Sequence, residues 1–324
     1  MNDGLVVVTG AGGFVGRALC AHFRETGRLF RAIVRYHEPV TALAPHHYAV
    51  ADLATTPDDE LGALLGGAAA VVHLAGRAHV LRETATDPAA MYRAANVDAT
   101  VRLTHAAIRA GVRRFVFAST VKVNGETSAS GRPFHPGDPP SPRDAYARSK
   151  LEAERELLGL CAGTVLAPVI LRLPLVYGPG VNGNFLALLD EIARGRRLPL
   201  GAVHNERSLL YLGNLVEAID AALDAPMPPR GVHFVADVDT ASVPDLVRAM
   251  AVALDVPARL LSVPVPLLKL AGRVSGRLAM VDRLTDSLEV DSSSFLAATG
   301  WRGRHTLAEG LAATARWWRL RHAL

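Results

Sequence analysis

Lysine is nearly missing from this chain. Only Lys122, Lys150 and Lys269 occur among its 35 basic residues, and the rest are arginine. The arginines are scattered and the formal net charge is only +4, so no basic stripe for a nucleic-acid partner is expected. A mildly basic surface does suit an anionic small molecule. Cysteine is scarce too. Cys20 and Cys161 stand alone, with neither metal-type spacing nor a disulfide framework. Apolar runs such as Val165–Val176 and Val263–Leu270 are short or broken by proline and charge, so stable membrane insertion is not expected. The second of these runs is expected to face the core, with Pro264 and Pro266 delaying any helix to Leu267. The N-terminus runs straight into a strand pattern, which leaves no room for a signal peptide and implies a cytoplasmic location.

Half of the 324 residues are hydrophobic, enough for a sizeable core and two lobes. The first half alternates strand and helix patterns. Strands are expected at Leu5–Thr9, Phe30–Val34, His47–Val50, Ala70–Ala75, Phe115–Ser119 and Val169–Leu173. Helices are expected at Phe14–Thr26, Met91–Ala110 and Ala145–Leu160, the first two stopped by Gly27 and Gly111. Continuous apolar strands between helices imply a doubly wound α/β fold with a parallel sheet. Gly125–Arg143 reads as a loop. After Pro174 the alternation breaks, then resumes with Asn214–Leu223, Val232–Val235, Val243–Leu254 and an amphipathic tail, Thr306–Arg321. The expected division is a dinucleotide-binding domain over 1–173 plus 205–240, and a smaller C-terminal α/β lobe over 174–204 and 241–324.

Directly after the first strand stands Thr9-Gly10-Ala11-Gly12-Gly13-Phe14-Val15-Gly16. Gly10 permits a tight turn, Gly13 lets a pyrophosphate approach, and Gly16 lets the following helix lie close to the strand. An acid ending the second strand would bind the ribose of NAD, but this chain has Arg35 there, with Glu38 beyond it before Pro39. A guanidinium suits a 2′-phosphate, which favours NADP(H) and leaves NAD(H) open. An exposed arginine in an arginine-rich chain is the other reading. Asp52 follows the third strand, as an adenine contact or a helix cap, and Leu53 could pack on the adenine ring. Leu74-Ala75-Gly76 is a small-residue turn that would pass under the cofactor.

The second informative segment is Tyr146-Ala147-Arg148-Ser149-Lys150. Four residues apart on a helix, Tyr146 and Lys150 share a face. A nearby ammonium is expected to lower the tyrosine pKa toward usable acid–base range. Ser119 and Thr120 follow the fifth strand at the carboxyl edge, where a hydroxyl can orient a substrate oxygen toward Tyr146.

With these residues in place, the chain resembles the extended short-chain dehydrogenase/reductase superfamily, over essentially its whole length. It is similar to the UDP-glucose 4-epimerase-like group of NAD-dependent epimerases and dehydratases. Thr9–Gly16 resembles TGxxGFxG, His73–Gly76 HLA(A/G), Asn96–Thr100 NVxGT and Leu171–Gly180 RPxxVYGP. The resemblance implies a Rossmann domain and a catalytic triad of Thr120, Tyr146 and Lys150. It also implies nicotinamide contacts near Pro174 and Val176. Asn184, Arg207 and Arg283 match substrate-contacting positions, and Gly300-Trp301 a packing element. Ser119–Glu126 is similar to nucleotide-sugar epimerases and 4-ketoreductases of bacterial O-antigen (lipopolysaccharide) pathways, where many epimerases have tyrosine at the position of Asn124. Family 4,6-dehydratases carry Asp-Glu after the catalytic threonine. Val121-Lys122 stands there instead and argues against that reaction.

The leading expectation is a 4-ketoreductase using NADPH on a UDP-2-acetamido-4-keto-6-deoxyhexose. The runner-up is a UDP-sugar 4-epimerase with bound NAD. A non-catalytic dinucleotide-binding regulator is disfavoured by the retained Tyr146 and Lys150, and an enzyme of lipid-linked sugars by the core-facing reading of Val263–Leu270. The resembled family pairs its two long helices with those of a second copy. A homodimer through Met91–Ala110 and Ala145–Leu160 is therefore expected, marked by Val97, Val101, Ile108, Leu151, Leu157 and Leu158.

Overall fold

The computed structural model describes residues 4–35, 48–78, 87–129 and 131–322. Glu38, Pro39 and His47 lie outside them. The first half runs β1 (Leu5–Thr9), α1 (Phe14–Glu25), β2 (Phe30–Val34), β3 (Tyr48–Val50), α2 (Asp58–Leu64), β4 (Ala68–His73), α3 (Pro88–Tyr92), a π-helical segment (Arg93–Asp98), α4 (Ala99–Arg109), β5 (Arg114–Thr120), α5 (Ala145–Cys161) and β6 (Ala167–Leu173). The second half adds β7 (Leu175–Tyr177), α6 (Gly183–Ala193), β8 (Arg207–Tyr211), α7 (Leu212–Asp224), β9 (Gly231–Phe234), β10 (Thr240–Ala241), α8 (Val243–Leu254), α9 (Val265–Val274), α10 (Leu278–Thr285), α11 (Ser293–Thr299) and α12 (Leu307–His322).

Seven strands form one parallel sheet in the order β3-β2-β1-β4-β5-β6-β9. The expected doubly wound α/β fold is thus present. Strand residues alternate between two cores. Val6 and Val8 pack with Leu19 and Phe23 of α1 and Leu215 and Ile219 of α7. Val7 packs on the opposite face with Leu61, Leu103 and Leu157 of α2, α4 and α5. Burial on both faces is why these strands read as continuous apolar runs. Strand order reverses between β1 and β4, which opens the ligand crevice of such sheets at their carboxyl ends.

A second sheet, β10-β8-β7, belongs to the smaller lobe. Its core joins Tyr177 and Phe185 to Leu246, Met250 and Leu311. Within 205–240, which the sequence placed with the large domain, β8 pairs in this small sheet, while α7 and β9 build onto the large one. Phe295 and Trp301 run the other way. Both come from the expected substrate lobe, yet they pack into the large core with ring centroids 5.7 Å apart.

Two helices depart from expectation. The rod expected over Met91–Ala110 is interrupted by the π-helical turn, whose extra residue re-aims Asn96 inward. α9 starts at Val265 rather than Leu267, because Pro266 sits in the first turn, where no amide donor is needed.

Candidate active site

The chain leaves β1 through Gly10, whose φ of +69° is left-handed. A Cβ at Gly10 would stand 2.6 Å from the Ala75 nitrogen, and one at Gly16 would stand 2.2 Å from the Gly10 carbonyl. Gly10 therefore passes tightly against the strand-end turn Leu74–Gly76, and Gly16 brings α1 down onto the loop. Gly13 caps α1 with no side-chain acceptor, which leaves the first-turn amides of Phe14, Val15 and Gly16 to an anion. Val15 packs on the sheet core, while the Phe14 ring packs on the small lobe. One turn thus presents free helix-start amides and packs against both apolar cores.

The candidate acid–base groups lie at the end of β5 and the start of α5. Asp144 caps α5, its Oδ1 accepting from the Ala147 amide at 2.7 Å. Tyr146 and Lys150 follow on that helix. Thr120, the last residue of β5, accepts from the Lys122 amide at 3.3 Å. The Lys150 ammonium lies 3.8 Å from the centre of the Phe117 ring. Burial pushes the Tyr146 phenol up to about 12, helped by the Asp144 charge and opposed by the nearby Thr120 hydroxyl. Burial likewise pulls Lys150 down to about 7, opposed by Glu154. The expected lowering of the tyrosine by an ammonium is thus overridden here. Desolvation favours the neutral form of both groups.

Three supports fix this geometry. Buried His73 bridges Thr9 Oγ1 at 2.6 Å and Thr100 Oγ1 at 3.0 Å. The Thr100 hydroxyl donates to the Asn96 carbonyl, so His73 donates through Nε2 and accepts from Thr9 at Nδ1. Burial, with the Lys150 charge nearby, pulls His73 down to about 3 and keeps it neutral. Asn96 accepts from the Arg77 amide and donates to Ser149 Oγ at 2.9 Å, joining the turn after β4 to α5. Beneath Lys150, Glu154 pairs with Arg172 of β6 at 2.6 Å, and both are nearly fully buried. Ser119 donates to Glu154, and Arg172 donates to Asn124 Oδ1 at 2.8 Å. The Ser119 hydroxyl is therefore turned to Glu154 instead of standing free beside Thr120.

The remaining sequence candidates separate. Ala75 donates to Thr9 Oγ1, and a Cβ at Gly76 would meet Asn96 Oδ1 at 2.9 Å. Asp52 is exposed and accepts from the Ala54 amide in a local turn. Leu53 is buried in the core beside α2, not offered to an adenine ring, because it continues the apolar face of that layer. Arg35 is exposed directly after β2. Pro174 is buried between β6 and β7, and Val176 packs against the large core. Asn184 is exposed in the first turn of α6. Arg207 lies in the small sheet and donates to the Asp286 carbonyl at 2.9 Å. Arg283 is exposed and bonds back to Ala279 of its own helix. The sequence reading missed the Glu154–Arg172 pair. Its signal was present: Tyr146, Lys150 and Glu154 share one face at four-residue spacing, and an acid on a buried face requires a partner.

The model of the NAD dependent epimerase/dehydratase family matches residues 6–236. The chain belongs to this family. It is an NAD-dependent extended short-chain dehydrogenase/reductase enzyme. Over 312 residues it is 38% identical to a UDP-glucose 4-epimerase of Vibrio cholerae, covering 96% of this chain and 94% of that one. An N-acetyl-alpha-D-glucosaminyl-diphospho-ditrans,octacis-undecaprenol 4-epimerase of Escherichia coli O157:H7 is 27% identical, with the same coverage. The solved structure of MoeE5 in complex with UDP-glucuronic acid and NAD superposes with a TM-score of 0.78 at 27% identity, over 99% of this chain and all of that one. The family cofactor fits the observed residues. The loop after β1 is drawn tight by Gly10 and Gly16 and leads into an uncapped helix start at the carboxyl end of the sheet, where the amides suit a pyrophosphate.

Proposed function

We propose that this epimerase-family enzyme is a UDP-hexose 4-epimerase using NAD. One observation carries the reading: no carboxylate occupies the two positions after Thr120, which leaves Tyr146 as the acid–base group of the proposal. Those positions hold Val121, which is buried, and Lys122, which is tied to Asp144 at 2.8 Å and Glu126 at 3.3 Å. Elimination across the sugar ring needs a second base there. Exchange at a single hydroxyl carbon does not. The likeness to the Vibrio cholerae relative supports epimerisation over the 4-keto reduction expected first. The NADP(H) preference expected from Arg35 finds no counterpart in solved relatives described with NAD.

NAD held by the β1–α1 turn and Lys150 would supply reversible hydride acceptance from the sugar C4. Thr120 donates a hydrogen bond to the C4 oxygen and aims it at Tyr146. Tyr146 takes the hydroxyl proton as the carbon is oxidised and gives it back once the keto-sugar has turned its other face. Lys150 holds the ribose hydroxyls and favours the phenolate whenever it carries a proton. Arg207 contacts the substrate diphosphate, with Asn184 as a further substrate contact.

The assembly reading is a homodimer through α4 and α5, on a narrower footing than the sequence offered. Val97, Leu151 and Leu157 are spent on the chain's own core, and Leu158 remains exposed. The function is tested by incubating the purified protein with UDP-glucose or UDP-GlcNAc and no added cofactor. The C4 epimer is expected, with NAD released on denaturation. If neither sugar is converted, while UDP-4-keto-6-deoxy-GlcNAc consumes NADPH, the enzyme is the reductase instead.

A further inference from the structure

The outer face of α9 carries the wrong chemistry for water. Leu267, Leu270, Ala271 and Val274 recur at helical spacing and form one stripe. Leu267 is 56%, Leu270 57% and Val274 84% exposed. Leu261 before the helix and Met280 on α10 are exposed as well. The helix is not loosely held. Val265 and Leu268 pack inward on the small-lobe core, and buried Gly272 lets α10 close on α9, since a Cβ there would meet Val281 at 2.8 Å. α9 is thus apolar on both sides, and its inner face alone explains its packing. The expectation that this segment simply faces the core accounts for half of it.

Charge surrounds the stripe. Residues 259 to 286 hold five basic groups, Arg259, Lys269, Arg273, Arg277 and Arg283, against two acids, Asp282 and Asp286. Lys269 occupies both acids, at 3.2 and 2.9 Å. The four arginines are exposed, and among the described residues no carboxylate pairs with them. An apolar stripe bordered by arginines matches the boundary between acyl chains and anionic headgroups. A second copy of this chain fits poorly, because a two-fold contact would set the same arginines against themselves. No described helix is long and apolar enough to cross a bilayer, so the contact is interfacial.

We propose that the α9–α10 hairpin docks the small lobe onto an anionic lipid surface. Asp286, immediately after α10, receives the Arg207 guanidinium, so the docked face adjoins the expected diphosphate contact. The docking does not depend on which sugar the site converts.

The test is co-sedimentation of the full chain with vesicles of phosphatidylcholine, with and without phosphatidylglycerol. Binding is expected only with the anionic lipid and should weaken as salt rises. Leu270→Asp should cut binding about ten-fold or more, and Arg277→Ala about five-fold. Both variants should keep wild-type circular dichroism and wild-type turnover of soluble UDP-sugar. Equal sedimentation with neutral and anionic vesicles, or wild-type binding by folded Leu270→Asp, would overturn the proposal. So would concentration-dependent self-association that Leu270→Asp abolishes.

Discussion

Lys150 carries a cost as well as a function. Folding holds its pKa near 7 against 10.5 in a free side chain, because the ammonium is buried. Between those values the unfolded chain keeps a proton that the native chain sheds. Stability of the cofactor-free protein therefore rises with pH across that window, and the burial penalty is fully present below it. Lys150→Met should raise the melting temperature at neutral pH and flatten the rise, by on the order of a few kcal/mol, while turnover and cofactor affinity collapse. A melting temperature unchanged at both neutral and alkaline pH would mean the amine is solvated. Tyr146→Phe removes only the hydroxyl. Its fold and cofactor content should survive while turnover drops about two to four orders of magnitude. Rapid-quench assay of the loaded protein separates these effects, and near-normal turnover would remove Tyr146 from the chemistry.

At the scale of elements, the helix that carries Tyr146 and Lys150 is held at its start. Asp144 caps α5 and simultaneously receives Lys122 from the turn after β5, so one carboxylate fixes Thr120 and Tyr146 relative to each other. Asp144→Ala should cost about 1 kcal/mol as a lost cap and lower turnover more than affinity, read from kcat and KM separately. Asp144→Asn, which still caps, should recover the stability but not the Lys122 clamp. On the other face of the sheet, His22 of α1 bonds Asp220 of α7 at 2.6 Å, and that bond raises the His22 pKa. Its contribution is complete below the ordinary histidine value and fades as pH climbs through the raised one. His22→Gln should thus destabilise by roughly 1 kcal/mol at most in mild acid, since partial exposure screens the pair, and by less in mild base. Denaturant melts at the two pH values check the sign.

Such pairs show what the sequence could and could not convey. Gly10, Tyr146 and Lys150 were legible because spacing alone puts them on one turn or one helix face. Glu154, Arg172 and Asn124 come from three separate elements, and only the parallel register of β5 and β6 brings them together. Leu53 was misread because an apolar residue after a strand serves a core or a ring equally well, and only packing decides between them.

For the whole molecule, two faces compete for contacts outside the chain. The α9 face is apolar and ringed by one sign of charge, which suits a surface of opposite charge. The α4–α5 face is different in kind. Arg93 pairs with Glu152 and approaches Asp98 at 3.7 Å, so both signs alternate there. A face of mixed sign can meet itself across a two-fold axis with each charge opposite its complement. That makes it the better self-contact, and it predicts how the contact behaves. Rim charges steer and select but add little strength, and salt screens them within about 8–10 Å. Sedimentation at micromolar concentration should find a dimer at low ionic strength that shifts toward monomer as salt is added. Glu152→Arg, which sets like charges on that face, should give monomer throughout. Leu270→Asp, on the opposite kind of surface, should leave the dimer intact. A single monomeric species at low salt would mean that the α4–α5 face is simply solvated, its charges satisfied by each other and by water.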